Sequence, residues 1–372
     1  MPFPRFTVFA LILLLPLHSL AFSLFAHEAI VDMEWKKSIA PLLKYKYPAA
    51  TDSELIVAHS YCYGGAIIPD IGYYSLGGVF FTHLLHYVYT GDFINVMINE
   101  AQDVNEYAFA LGLLCHYYTD KYGHPLCTNH AVPMLFPKLK QKFGDVMTYE
   151  QAETPHVRVE FGFDVLQTAL GNYAPKAFHD YIGFQVSQPV MERAFLKTYH
   201  LEMKEIFNSL PIAIAVFRFT VKNFIPEITK DAWRIRKSVI TQLNPLADKA
   251  HFRYKFNKKA YEKEFGKLPV KSTIFSFFIA LIPKVGPLAA FKFKEPSPEV
   301  EKLFKQTMDT ILLHYSAHLK EMAYSKPLLE NINFDTGKKT VPNDYKEADE
   351  TDKTLLEKQR KSNKALTTEP KI

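Results

Sequence analysis

The feature that most constrains this chain is a helical apolar period into which polar side chains are set at regular spacing. "NEYAFALGLLCHYYTD" (105–120) and "EVEKLFKQTMDTILLHYSAHLKEM" (299–322) place apolar residues at i, i+3, i+4 and i+7, the pattern of one helix face. The chain has no run of alternating β-branched residues and no glycine-rich phosphate loop. The expected fold class is therefore all-α. With 372 residues, 48% of them hydrophobic, the chain can fill a large core. The first helix runs on into "HYYTDKYGHP", where His116, Asp120 and His124 lie four residues apart. Residues so spaced share a helix face, so two imidazoles and a carboxylate form a column of donors that suit zinc. Gly123 and Pro125 flank His124 and predict that the helix ends there and re-aims that side chain.

The rest of the chain divides by composition. Arg5 and an apolar run from Phe6 to Leu20 precede "Ser19-Leu20-Ala21", which fits a secretory signal peptide over residues 1–21 and hence export. The alternative is a retained membrane anchor. The run is shorter than the roughly 20 apolar residues that a spanning helix needs, and Pro16 and His18 interrupt it. Residues 22–265 read as one compact helical body, with loop-like stretches at 41–55 and 62–78, rich in Pro, Gly and Tyr. Residues 266–336 form a helical extension that includes "TIFSFFIALIPKVGPLAAF" (273–291), an apolar block cut by Pro283, Lys284 and Pro287. It reads as a buried helix pair or as a membrane-surface contact. Residues 337–372 are charged, nearly without aromatics, and predict a disordered tail. The three cysteines, Cys62, Cys115 and Cys127, allow one bridge and no disulfide framework. A formal net charge of +5 is modest and says little about nucleic acid, whose binders concentrate basic residues on one face.

Further pieces join the first column. "PHVRVEFGFD" sets His156 and Glu160 four apart, directly after Pro155. Asp70 follows Pro69 in an apolar, Gly-flanked segment, and His83 and His86 follow in "FFTHLLHYVYTGDF". Cleavage after Ala21 would start the mature chain at Phe22 and make His27 its sixth residue, near an α-amino group that titrates close to pH 8 and can bind metal once deprotonated. His314 and His318 in "HYSAH" repeat the four-residue spacing with no carboxylate in step. That pair reads as packed or solvated.

In this order the motifs resemble the zinc-dependent phospholipase C family, related in fold to the S1/P1 nucleases: secreted, nearly all-helical enzymes with three zinc ions in a cleft. The resemblance covers roughly residues 22–165. It implies that Asp70, His86, His116 and Asp120 hold one zinc, that His124, His156 and Glu160 hold a second, and that Phe22, through its amine and carbonyl, holds a third with His27. Asp120 would bridge two of the two to three ions. His83 competes with His86, and the 16-residue gap after Asp70 favours His86. Asp70 would serve as general base, and zinc-bound hydroxide as nucleophile. Three details depart from the best-known members. Phe22 stands where they have Trp, His124 follows Asp120 sooner than their histidine does, and "GHPLC" replaces the "HQPLH" of the nucleases.

The implied function is a secreted phosphodiesterase that hydrolyses phospholipid head groups. The tyrosines of "YCYGG" and "GYY" could line its cleft, since choline-like groups favour aromatic walls. The alternatives are a nuclease on the same scaffold, or a non-catalytic helical envelope protein that binds a membrane or a partner.

Overall fold

Two capped helices cross at their glycines and form the spine of the molecule. A computed structural model of the chain describes residues 24–74, 76–170, 184–221, 237, 238, 241 and 294–368. Phe22, the signal segment 1–21 and the apolar block 273–291 lie outside the described residues. The chain starts with α1 (Leu24–Glu34), a π-helical turn (Trp35–Ile39) and α2 (Ala40–Lys46). Helix α3 (Asp52–Ile67) opens on a capping box, in which Thr51 and Glu54 each satisfy the other's backbone N–H. A 3₁₀ turn (Ile68–Tyr73), α4 (Val79–Tyr87) and α5 (Thr90–Glu100) follow. Helix α6 (Val104–Gly123) is capped by Asp103, whose carboxylate accepts the Asn105 and Glu106 amides.

The segment 62–78, expected as a loop from its glycines and tyrosines, is helical through Ile67 and a 3₁₀ turn through Tyr73. The glycines serve contact between helices instead. A Cβ on Gly65 would lie 1.9 Å from the Phe109 carbonyl oxygen, and one on Gly112 would lie 1.9 Å from that of Cys62. Only a bare Cα lets α3 and α6 approach this closely, and the approach sets α3 carbonyls beside the side chains of α6.

After α6 come a second π-helical turn (His124–Thr128), α7 (Asn129–Leu135), α8 (Pro137–Phe143), a 3₁₀ turn (Tyr149–Gln151) and α9 (Glu153–Leu170). Then follow α10 (Gln188–Tyr199), a 3₁₀ turn (Met203–Glu205), a helical stretch over 210–221, and α11 (Pro298–Glu321). Helix α11 lies on α6. Tyr315 donates to the Leu111 carbonyl at 2.9 Å, and Phe304 stacks on Phe163 of α9. One hydrophobic core runs from Leu24 to Leu355, so α11 belongs to the main body and does not form a separate extension. All three cysteines are buried free thiols. Among the described residues no helix is long and apolar enough to cross a membrane.

The end of the chain corrects an expectation. Residues 337–372 were expected to be a disordered tail, yet a short hairpin, β1 (Ile332–Asn333) paired with β2 (Lys338–Lys339), leads into α12 (Lys346–Thr368). Average composition hides the reason. Ala348, Thr351 and Leu355, at i, i+3 and i+7, form a stripe that is buried while the charges face outward. Gln359 then donates to the Tyr199 carbonyl at 2.8 Å, and Lys358 to that of Glu205 at 3.1 Å. The all-α class holds, with this two-stranded hairpin the only sheet among the described residues.

Candidate metal centre

Six structural elements send a polar side chain into one buried place. Helix α1 supplies His27, the 3₁₀ turn after α3 supplies Asp70, and α4 supplies His86. Helix α6 supplies His116 and Asp120, the π-helical turn supplies His124, and α9 supplies His156 and Glu160. None of the eight is more than 4% exposed. Burying this many ionisable groups is costly unless each finds a partner or a cation.

Asp120 is the hub. Its Oδ1 lies 3.1 Å from His27 Nε2. Its Oδ2 lies 3.1 Å from His116 Nε2, 3.4 Å from His86 Nε2 and 3.8 Å from His124 Nε2. Asp70 Oδ1 meets His86 Nε2 at 3.3 Å, and Glu160 Oε1 meets His124 Nδ1 at 3.6 Å. Two triplets of ligand atoms fit within 4.8 Å: His27, His116 and Asp120, and Asp70, His86 and His116. His83 is half-buried and packs against Tyr87. The geometry thus brings His86, and not His83, to Asp70. The α6 helix ends at Gly123 as its sequence suggests, and the wider turn that follows keeps His124 on the column.

Backbone carbonyls set the histidine tautomers. His86 Nδ1 donates to the Thr82 carbonyl at 2.8 Å, and His116 Nδ1 donates to the Ala66 carbonyl at 2.9 Å. Each Nε2 is then the nitrogen aimed at the centre, and it offers a lone pair once it carries no proton. This is the arrangement that orients imidazoles for a metal. Ala66 lies beside His116 because the glycines hold α3 against α6.

Charge is strongly coupled here. Burial disfavours a charged His86, yet its contacts with Asp120 and Asp70 outweigh that and hold its pKa at about 10. His124 follows the same logic, with burial opposed by Asp120 and then Glu160, and rests at about 9. Burial lowers His116 and raises Glu160 to about 8. Burial would raise Asp120, but His116 and the other imidazoles around it hold its carboxyl well below the usual range. The centre behaves as an anionic nest in which protons occupy positions suited to a cation.

His156 stands slightly apart. Burial and then His124 depress it to about 3, so it is neutral. Its Nδ1 lies 3.1 Å from the Ala152 carbonyl, and its Nε2 lies 3.0 Å from Asn129 Oδ1. A neutral imidazole has one N–H and donates to only one of these acceptors. Asn129 is absent from the sequence-level ligand set, as are three neighbours. Phe334 packs edgewise on His86, with ring centroids 5.5 Å apart, and tilts over His116 at 5.8 Å. Tyr149 meets His156 edge-on, and Asp335 holds the Tyr149 amide. Spacing gives no sign of these contacts, because residues 334 and 335 reach the site from some 200 positions away. Of the tyrosines expected as a wall, Tyr73 stands edge-on to His86, whereas Tyr63 donates to Asp32 and lies elsewhere.

The donor set suits zinc. Nitrogens and carboxylate oxygens converge, and several are buried without a hydrogen bond: Asp70 Oδ1, His86 Nε2, His116 Nε2, Asp120 Oδ2 and both Glu160 oxygens. Such orphaned atoms, aimed at a shared point, are what a cation would satisfy. No curated protein and no solved structure matches the chain. A family model does match, that of zinc-dependent phospholipase C, over residues 27–209. That stretch contains all eight converging side chains, and over it the chain matches the zinc-dependent phospholipase C family.

Proposed function

We propose that the protein is an exported zinc-dependent phosphodiesterase of phospholipase C type, acting on phospholipid head-group phosphodiesters. The observation that carries this reading is the set of orphaned Nε2 and carboxylate atoms gathered around Asp120. His27, His116 and Asp120 would hold one ion, with Phe22 the fourth donor that the family resemblance implies. Asp70, His86 and His116 would hold another, and His124 with Glu160 would hold a third, joined by His156 once Nε2 is released from Asn129. Bound zinc would neutralise the phosphate and make a water acidic enough to attack near neutral pH.

The chain's own residues then have defined tasks. Asp70 Oδ1, 3.3 Å from His86 Nε2 and without a hydrogen bond, is the candidate to accept a proton from the attacking water. Thr82 and Ala66 carbonyls keep His86 and His116 in the tautomer that leaves Nε2 bare. Phe334 and Tyr73 cover the imidazoles with apolar surface and exclude bulk water, which strengthens every charge interaction inside. Export rests on the N-terminal segment, and the membrane contact on residues 273–291.

Elemental analysis of naturally processed protein tests the reading. Two to three zinc ions per chain, together with phospholipid hydrolysis that a chelator abolishes, are expected. A folded, chelator-free sample with no zinc would reject it.

A further inference from the structure

The hairpin after α11 is fastened to the metal half of the molecule from outside the family match, which ends at residue 209. Thr90 Oγ1 donates to the Ile332 carbonyl and accepts its amide, each at 2.9 Å. Asn331 clamps Asp92, and Asn95 pairs with Leu329 in both directions. Tyr117 donates to the Glu330 carbonyl at 3.0 Å, and Gly91 has no side chain where that carbonyl passes. The Phe334 amide donates to the His86 carbonyl at 3.0 Å. So many anchors fix the residues at the hairpin tip relative to the ligands.

Asp335 follows Phe334 and is only 2% exposed. Its Oδ2 accepts the Tyr149 amide at 2.9 Å and the Tyr345 hydroxyl at 2.5 Å. Its backbone carbonyl accepts Asn129 Nδ2 at 2.7 Å, and Asn129 Oδ1 lies 3.0 Å from His156 Nε2. Its Oδ1 is buried with no hydrogen bond. A carboxylate oxygen buried in this way lacks the partner that its charge requires. Asn129 and Tyr149, both held by Asp335, each contact His156, which sets Asp335 at the His156 end of the centre. Asp335 is in neither tight triplet of ligand atoms, so direct ligation of those two ions falls to other residues.

We infer that Asp335 is a further carboxylate of the metal centre, a positioning residue whose Oδ1 holds, through a bound water, the ion taken by His124 and Glu160. The same residue also steadies Asn129 and, through it, His156. Partners of this kind around a metal carry about 10- to 100-fold of its affinity. This inference rests on the proposed zinc function, and it adds that the family segment alone does not complete the third ion's surroundings.

The test uses full-length protein with Zn²⁺ alone and Co²⁺ alone as probes. Asp335→Asn keeps the size and the acceptor for the Tyr149 amide but removes the charge. The dissociation constant of the most weakly held zinc is expected to rise about 10- to 100-fold by chelator competition, with the tighter ions unchanged and the visible Co²⁺ spectrum altered. Asn331→Ala loosens the hairpin clamp without touching the carboxylate. It is expected to lower thermal stability and leave zinc affinity as in the parent. Equal zinc affinity and an equal Co²⁺ spectrum for Asp335→Asn would overturn the inference while leaving the zinc function standing. So would a loss of affinity in Asn331→Ala as large as in Asp335→Asn. If Asp335→Asn does not fold, Asp335→Glu decides: its charge is displaced by one methylene, and affinity indistinguishable from the parent would count against the inference. A parent protein that takes up no zinc would remove both readings at once.

Discussion

Two pairs of histidines in helical register, His116 and His124 eight residues apart and His314 and His318 four apart, meet opposite fates. His116 on α6 and His124 in the π-helical turn that follows it meet Asp120, and with it His86, Asp70 and Glu160, where nitrogens and carboxylate oxygens converge. His314 and His318 lie on α11, against another side of the same helix. There His318 Nδ1 meets the Tyr118 hydroxyl at 2.9 Å, and His314 stacks on Tyr122 with centroids 4.7 Å apart. One helix therefore separates a candidate cation site from an ordinary aromatic packing surface. Helical spacing places side chains on a common face, but the carboxylates that other elements bring there decide what the face can hold.

That contrast can be broken most strongly at Asp120. Asp120→Ala removes the hub between four imidazoles and the carboxylates, and is expected to strip metal and cut activity by at least about 10³-fold, the several kcal/mol a metal supplies. His116→Ala should behave alike. A metal-free Asp120→Ala protein with full activity would end the comparison. Next in size is Gly112→Ala, whose new methyl would lie 1.9 Å from the Cys62 carbonyl oxygen. Forcing α3 and α6 apart is expected to cost about 3 kcal/mol in urea unfolding and to loosen His116 from Ala66. Unchanged stability would show that the crossing is not tight.

A subtler effect separates the two pairs by protons. At pH 7 the metal-free centre carries protons on His86 (about 10), His124 (about 9) and Glu160 (about 8). Zinc needs these donors bare. Loading should therefore release protons, and affinity should climb as pH rises from 7 toward 9. Calorimetry in buffers of different ionisation enthalpy measures this directly, and heats that do not depend on the buffer would contradict it. The smallest effect belongs to His318→Ala. It loses one hydrogen bond, worth about 1 kcal/mol, and should leave zinc content unchanged.

How far the sequence could be read follows from where each partner lies in the chain. The helix class and the columns on α6 and α9 were legible, because four-residue spacing is a local property. Asp70 and His86 were legible as residues of the right chemistry, but the choice between His83 and His86 needed the direction in which α4 faces. "YCYGG" looked like a loop because glycine is usually read as a breaker. Here its glycines serve a close helix crossing, which depends on Phe109 and Leu113 some 45 positions away. The charged C-terminal segment misled because average composition does not register the stripe formed by Ala348, Thr351 and Leu355. Phe334 and Asp335 left no local signal at all, since their roles are set by Thr90, Asn129 and Tyr149.

The long reach of the hairpin has a consequence for the order in which the protein is made. Its hydrogen bonds to α4–α6 join residues more than 200 positions apart, and contacts of that separation form late because a long loop must close first. A chain emerging at about 5–20 residues per second would expose its histidine columns on the order of ten seconds before residue 334 arrives. In that interval the nascent protein has its imidazoles but neither Phe334 above them nor Asp335 beside them. A stretch synthesised well after the histidine columns is thus the one that seals the centre.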